Sequence, residues 1–260
     1  DILIHKAAFS HKQRRLKQVF GRFEGNGLVV SDGPFWQRQR RLVQPAFAPS
    51  KLRDYATSIL PCVEEMLHTW RTAARVDIRA EMRRLLLRIV VRTLFSADVE
   101  DLIDPITSAV NDIQQWSMRE MHRVFATPSW LPLWGQPKAR RAIQFVREQV
   151  WSIICQRRAN CNEGNDLLGR LIAAIDTDDG QPMSMRQLQD EMVTMLLAGH
   201  ETSAAAVTWA CWLLAKHSDV QDRVACDVRA LLEGSTPSFD DYSELHSVEQ
   251  VLKEAMRLYP

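Results

Sequence analysis

Met192–Ala215, MVTMLLAGHETSAAAVTWACWLLA, is the stretch on which the fold turns. Met, Leu, Val, Ala and Trp dominate it, so a helix here is apolar all round. Such a helix belongs in an interior rather than on a surface. Gly199, His200, Glu201 and Thr202 interrupt it together. Gly weakens a helix by roughly 1 kcal/mol, and a buried carboxylate finds a partner or shifts its pKa. Two readings of the interruption stand. One is a kink with a satisfied polar cluster. The other is a catalytic groove, in which Gly lets a flat group lie against the backbone while Glu201 and Thr202 manage protons. The length would also suit a membrane span. The polar residues at its centre argue instead for the central helix of a soluble protein.

That helix is predicted from about Ser184 to His217, roughly 50 Å at 1.5 Å per residue. The rest of the chain also reads as nearly all helix. Helices are expected at 1–9, 51–75, 79–96, 104–122, 137–160, Asp166–Ile175, 219–233 and 247–258. Thr127-Pro128-Ser129-Trp130-Leu131-Pro132 blocks a continuous helix between the fourth and fifth of these. It begins an apolar loop cluster of Trp130, Leu131, Leu133 and Trp134. His11–Asp32 is basic and then punctuated by glycine, with Gly21, Gly25, Gly27 and the adjoining Gly33, which predicts a long loop. Within it Leu28, Val29 and Val30 must pack on something, either by covering a substrate pocket or by pinning the loop to the core.

Asp32 followed by Pro34 is a helix start. Trp36 and Arg40 then share one helix face. An indole N–H and a guanidinium on one face suit a carboxylate partner; a surface Arg stacked on Trp is the plainer reading. Arg38 and Arg41 fall off that face and are predicted to be solvent-exposed, as ordinary surface charge or as a docking site for an acidic electron donor.

Bulk properties narrow the field. At 260 residues and without a linker, charge block or repeat, the chain is expected to be part of one domain. A net charge of +1 gives no argument for nucleic acid. Five scattered cysteines read as reduced thiols, which points to the cytoplasm. A zinc-protease motif fails because Ala204 stands where a second His is needed after His200. Asp176-Thr177-Asp178-Asp179-Gly180 is a turn rather than a calcium loop, because Gln187 replaces the bidentate Glu.

Three motifs occur in order: Trp36 with Arg40, Ala198-Gly199-His200-Glu201-Thr202, and Glu254 with Arg257. Together they resemble those of the cytochrome P-450 family of haem-thiolate monooxygenases, namely Trp-x-x-x-Arg, Ala/Gly-Gly-x-Asp/Glu-Thr and Glu-x-x-Arg. The resemblance implies a mainly α, incomplete cytochrome P-450 fold around a long, buried central helix. It implies haem b (iron protoporphyrin IX) as cofactor, with Trp36 and Arg40 at a propionate and Ala198 and Gly199 beside the ring. Thr202 and Glu201 would be the catalytic pair, the hydroxyl holding the activated oxygen by a hydrogen bond and the acid relaying protons through water. Leu28, Val29, Val30, Thr194 and Leu197 would line the substrate side. Glu254 and Arg257 would be a structural pair.

The reaction implied is insertion of one atom of dioxygen into an apolar organic substrate, with electrons from a reductase or ferredoxin. The alternative is a non-catalytic helical scaffold or pseudoenzyme of the same fold. The family's haem-iron ligand lies in Phe-x-x-Gly-x-x-x-Cys-x-Gly, and none of Cys62, Cys155, Cys161, Cys211 and Cys226 stands in such a loop. The chain is therefore expected to be an internal fragment, inactive alone. A membrane anchor elsewhere in the protein is left open.

Overall fold

The structure is a computed structural model that describes residues 11–96, 100–123, 136–160 and 164–260. The helix expected at 1–9 and the apolar cluster around Trp130 lie outside the described residues. Among the described residues the chain is helical and has no strand, only an isolated bridge between Ile175 and Pro182. In chain order the helices are α1 (Arg14–Glu24), α2 (Gly33–Val43), α3 (Pro49–Ala56), α4 (Ile59–Trp70), α5 (Ile78–Phe95) and α6 (Glu100–Met121). They continue as α7 (Gln136–Ala159), α8 (Leu167–Ala173), α9 (Met185–Lys216), α10 (Ser218–Leu232) and α11 (His246–Leu258).

The helix α1 corrects the long loop expected over His11–Asp32. Leu16, Val19, Phe20 and Phe23 recur at the i, i+3, i+4, i+7 spacing of a helix face. Val19 and Phe23 are buried. Burying such side chains contributes roughly 1.5–3 kcal/mol each, which outweighs the roughly 1 kcal/mol that Gly21 costs inside the helix. Only Gly25–Asp32 remains as a turn. Asp32 holds the extended backbone of an N-cap, but its carboxylate does not cap α2. It accepts the Lys12 backbone N–H and pairs with Lys17 instead.

Two compact units divide the chain, Asp1–Lys51 with Val91–Ala198 and Leu52–Val90 with Gly199–Pro260. In the first, α6 and α7 pack together and α1 lies against both. The stripe on α6 is Ile103, Ile106, Val110, Ile113 and Trp116; that on α7 is Ala139, Ala142, Val146, Val150 and Ile154. Each repeats every three or four residues, the period of a buried helix face. In the second unit, Cys62 and Met66 of α4, Met82 and Leu85 of α5 and Ala204 of α9 form one apolar cluster. Farther along, Trp209 stacks on Tyr259 with centroids 3.9 Å apart, and Trp212 meets the same ring edge-on.

The helix α9 is the longest described, at 32 residues. Its first half is the more buried: Leu188, Met192, Val193 and Leu196 are closed to solvent, whereas Trp209 and Trp212 are partly exposed.

A buried ion pair sets the entry to α8. Asp166 accepts the Gly169 N–H at 2.8 Å, capping that helix, and receives two bonds from Arg157 at 3.1 and 2.7 Å. Arg157 also donates to the Phe95 carbonyl. The Asp166 side chain is 1% exposed. Asp166→Ala removes a cap and leaves a largely buried guanidinium unpaired, which costs about 3–5 kcal/mol. Chemical denaturation is expected to show that loss, whereas Asp219→Ala on the surface of α10 should leave stability within about 0.5 kcal/mol.

Candidate active site

The interruption of α9 is resolved residue by residue. Ala198 and Thr202, four apart and so on one helix face, are both exposed. His200, on another face, is completely buried. Gly199 is half-buried, and a Cβ built on it would meet only Val90 Cγ2, at an ordinary 3.5 Å. Its missing side chain therefore points at α5 rather than along the exposed face. Ala198 and Thr202 are the exposed residues of this stretch, and Gly199 lies between them in the chain.

Glu201 is not left unpaired. Arg83 of α5 approaches Glu201 Oε2 with Nε and Nη2, each at 3.1 Å. His200 Nε2 lies 3.7 Å from the same oxygen. The carboxylate borders a cavity of about 370 Å³ shared with Arg83, Ala205 and Trp209. Neither ring nitrogen of His200 has a hydrogen-bond partner. Burial pushes its pKa down to about 4, against the raising effect of Glu201 and with a further lowering by Arg83. Neither Arg83 nor the burial of His200 was legible in sequence, because the pairing spans 118 positions. A ring with two polar atoms inside an apolar run was the one available signal.

The residues expected to line a substrate are drawn into the turn Gly25–Asp32. The Leu28 N–H donates to Glu191 Oε2 at 3.1 Å and the Asn26 N–H to Asp190 Oδ2 at 2.9 Å. Gly25, at φ 68°, and Gly27 sit where a Cβ would collide with the Asp190 carboxylate and the Thr194 hydroxyl. Thr194 and Val30 are buried beneath or within this turn, while Leu28, Val29 and Leu197 are half-buried. The turn is thus pinned to α9.

On α2 the Arg40 guanidinium stacks over Trp36, 5.1 Å from the ring centroid. Its neighbours are not the free surface charges that the sequence suggested. Arg38 Nε reaches Asp179 at 2.8 Å and Asp176 at 3.3 Å, and Arg41 reaches Asp178 at 2.7 Å and Asp176 at 3.3 Å. The fully buried Asp176 carboxylate drew both arginines to the turn at 176–180. Among the described residues Arg40 alone of the three has no carboxylate partner. Glu254 and Arg257 join through two bonds of 2.7 Å on an exposed face of α11. A separate cavity of about 1020 Å³ lies between Arg22, Trp116 and α7, and none of the expected site residues lines it.

A family model described as Cytochrome P450 matches residues 1–260. This chain belongs to the cytochrome P450 family. Relatives include the Cyclooctat-9-en-7-ol 5-monooxygenase of Streptomyces melanosporofaciens, 31% identical over 91% of this chain and 52% of that protein. A Cytokinin hydroxylase of Arabidopsis thaliana is 32% identical, over 100% of this chain and 53% of its own length. The crystal structure of the cytochrome P450DA heme domain matches with a TM-score of 0.84 at 26% identity, covering 95% of this chain and 55% of that one. The chain thus spans about half the length of the curated cytochrome P450 relatives it matches. Within this cytochrome P450 fold the described helices α2, α9 and α11 carry the three family motifs, and haem is the family's cofactor.

His200 gives a pH test. Its folded pKa is depressed from 6.5 to about 4, so the stability it contributes is complete above about 6.5 and is lost as pH falls through that window. The loss attributable to this ring is roughly 3 kcal/mol. Urea midpoints measured between about pH 7 and pH 4 should fall less steeply in His200→Leu than in the parent. Parallel profiles would mean that the ring is protonated or hydrated in the folded state.

Proposed function

We propose that the complete protein is a haem-dependent monooxygenase that inserts one oxygen atom of dioxygen into an apolar organic substrate. Residues 1–260 would be part of its single catalytic domain. The observation that carries this reading is the arrangement on α9: an acid held by Arg83, next to an alcohol on the same exposed face as Ala198. A scaffold without chemistry gains nothing from that pair in the middle of its longest described helix.

The residues present suit a haem in two respects. Arg40, backed by Trp36, has a guanidinium that no carboxylate takes, while Arg38 and Arg41 are occupied. A haem propionate is the anion it would hold. Ala198 gives the central helix a small, accessible surface at the level of Thr202, where the ring would lie, with Gly199 adjacent. When bound through a thiolate, haem supplies electron density that favours O–O cleavage.

The chain's own part is proton management. Thr202 Oγ1 donates a hydrogen bond to the oxygen being reduced and accepts the replacement proton. Glu201 receives protons from the water-accessible cavity that it borders and passes them towards Thr202. Arg83 keeps that carboxylate in one place. Leu28, Val29 and Leu197 retain accessible surface for the apolar body of a substrate; Val30 and Thr194 hold the turn behind them. Glu254 and Arg257 serve structure.

The printed names of relatives support a small organic substrate. The Bifunctional cytochrome P450/NADPH--P450 reductase 1 of Bacillus subtilis, 25% identical over 92% of this chain, supports electron supply from a reductase; a ferredoxin is the other donor of suitable chemistry. None of the cysteines stands in the ligand-loop pattern, so residues 1–260 alone are inactive under this reading. No helix among the described residues is long and apolar enough to cross a membrane. The free thiols of Cys62, Cys155, Cys211 and Cys226 fit the reducing cytoplasm.

Thr202→Ala tests the assignment in the full-length enzyme with its redox partner. NAD(P)H consumption should continue while product falls and hydrogen peroxide rises, because loss of one such interaction raises the productive barrier by about 3 kcal/mol. Substrate affinity should change little. Unchanged coupling between electrons and product would remove Thr202 from proton delivery.

A further inference from the structure

The turn that carries Leu28–Val30 begins after one buried carboxyl group and hydrogen-bonds to another, and the reaction has no use for either. Glu24, at the end of α1, is 2% exposed, and Glu191, on α9, is 0% exposed. Glu24 Oε2 and Glu191 Oε1 are both buried without a hydrogen-bond partner. The other oxygen of Glu191 accepts the Leu28 N–H at 3.1 Å. Two acids from different elements thus flank the docked turn, Glu24 directly before it in the chain and Glu191 at the Leu28 N–H, and among the described residues neither pairs with an arginine.

We propose that Glu24 and Glu191 form a proton-operated latch that positions the turn Gly25–Asp32 on α9, closed while either acid is protonated and loosened when both ionise. On ionisation the proton leaves to solvent and no bond other than the O–H is broken. The latch deepens the reading of Leu28 and Val29 as substrate-side residues, because it sets where they stand. Its own geometry is independent of that reading.

The charges around the pair decide the sign. Burial raises Glu24 to about 8, with the charge of Glu191 adding to the rise and Lys12 opposing it. Burial raises Glu191 to about 7, opposed by the Leu28 N–H and by Lys12 and reinforced by Asp190. Lys12, from the segment before α1, donates to the Leu28 carbonyl and lies near Asp32 and Lys17. Asp190 is engaged by Arg147 of α7 at 2.7 Å. His11 is exposed and reaches Asp32 at 3.9 Å. A single lysine faces two acids, so full ionisation leaves a net negative charge in a buried place. Carboxyls whose folded pKa is raised stabilise the docked turn most on the acid side, and that stabilisation is lost as pH rises through about 7 to 8. The fit is close, since a Cβ added at Gly25 or Gly27 would collide with Asp190 or Thr194.

Amide hydrogen exchange at Leu28 in the full-length protein reads the latch without reference to activity. After correction for intrinsic base catalysis, protection should fall about tenfold or more between about pH 6 and pH 9. Glu24→Gln and Glu191→Gln keep shape and acceptor oxygens but cannot ionise, and either should flatten the profile. His11→Gln should leave it as in the parent. Flat protection in the parent protein overturns the proposal and needs no variant to be folded. So does a fall that persists in both Gln variants, or one that vanishes in His11→Gln. Restoration of protection at about pH 9 by sodium, potassium or calcium chloride, compared at equal ionic strength, would assign the pair to a cation instead.

Discussion

Asp190 is the charge around which the first unit is assembled. Its side chain is 6% exposed, and an unanswered carboxylate so placed would cost several kcal/mol. Two elements answer it, α7 and the turn Gly25–Asp32. Arg147 of α7 donates at 2.7 Å, the Asn26 N–H of the turn at 2.9 Å, and Gly25 brings the turn's backbone against the carboxylate itself. Arg147 also donates to the Phe23 carbonyl at the end of α1. One acid on α9 therefore fixes the exit of α1, the course of the following turn and the register of α7.

How much of this could be read from the residues depended on distance along the chain. Local patterns carried well. The apolar run at 192–215 gave the longest described helix, and Asp32 with Pro34 gave the start of α2. The loop predicted over His11–Asp32 failed because four glycines were weighed above the apolar spacing of Leu16, Val19, Phe20 and Phe23. Tertiary burial decided that competition, and no local rule reports it. The ion pairs of Arg38 and Arg41 are hidden from the sequence for a related reason, although Arg41 is exposed as expected. Nothing near α2 announces that Asp176, a turn residue 135 positions away from Arg41, is buried and needs them.

The motif residues divide in the same way. Ala198, Thr202, Trp36 and Arg40 were found by type and spacing. Arg83, which holds Glu201, has no motif and emerges only when α5 packs beside α9. His200 stood inside the motif but received no role, and its complete burial between an acid and an arginine is a structural finding. The contacts of Arg83, Asp190 and Glu191 are properties of this chain that no motif supplies.

The account rests on the exposed face of α9 at Ala198 being the surface that a haem meets. The most direct measurement is carbon monoxide binding to the reduced haem of the full-length protein carrying Ala198→Phe. Ala198 is exposed among the described residues, so the ring adds bulk without overpacking this chain, and thermal stability should be retained. The account predicts that the rate or extent of carbon monoxide binding falls about tenfold or more, a change worth about 1.4 kcal/mol or more. Binding equal to that of the parent, with the variant folded and haem-loaded, would contradict it, because the face of α9 from Ala198 to Thr202 could not then be the one on which the chemistry occurs.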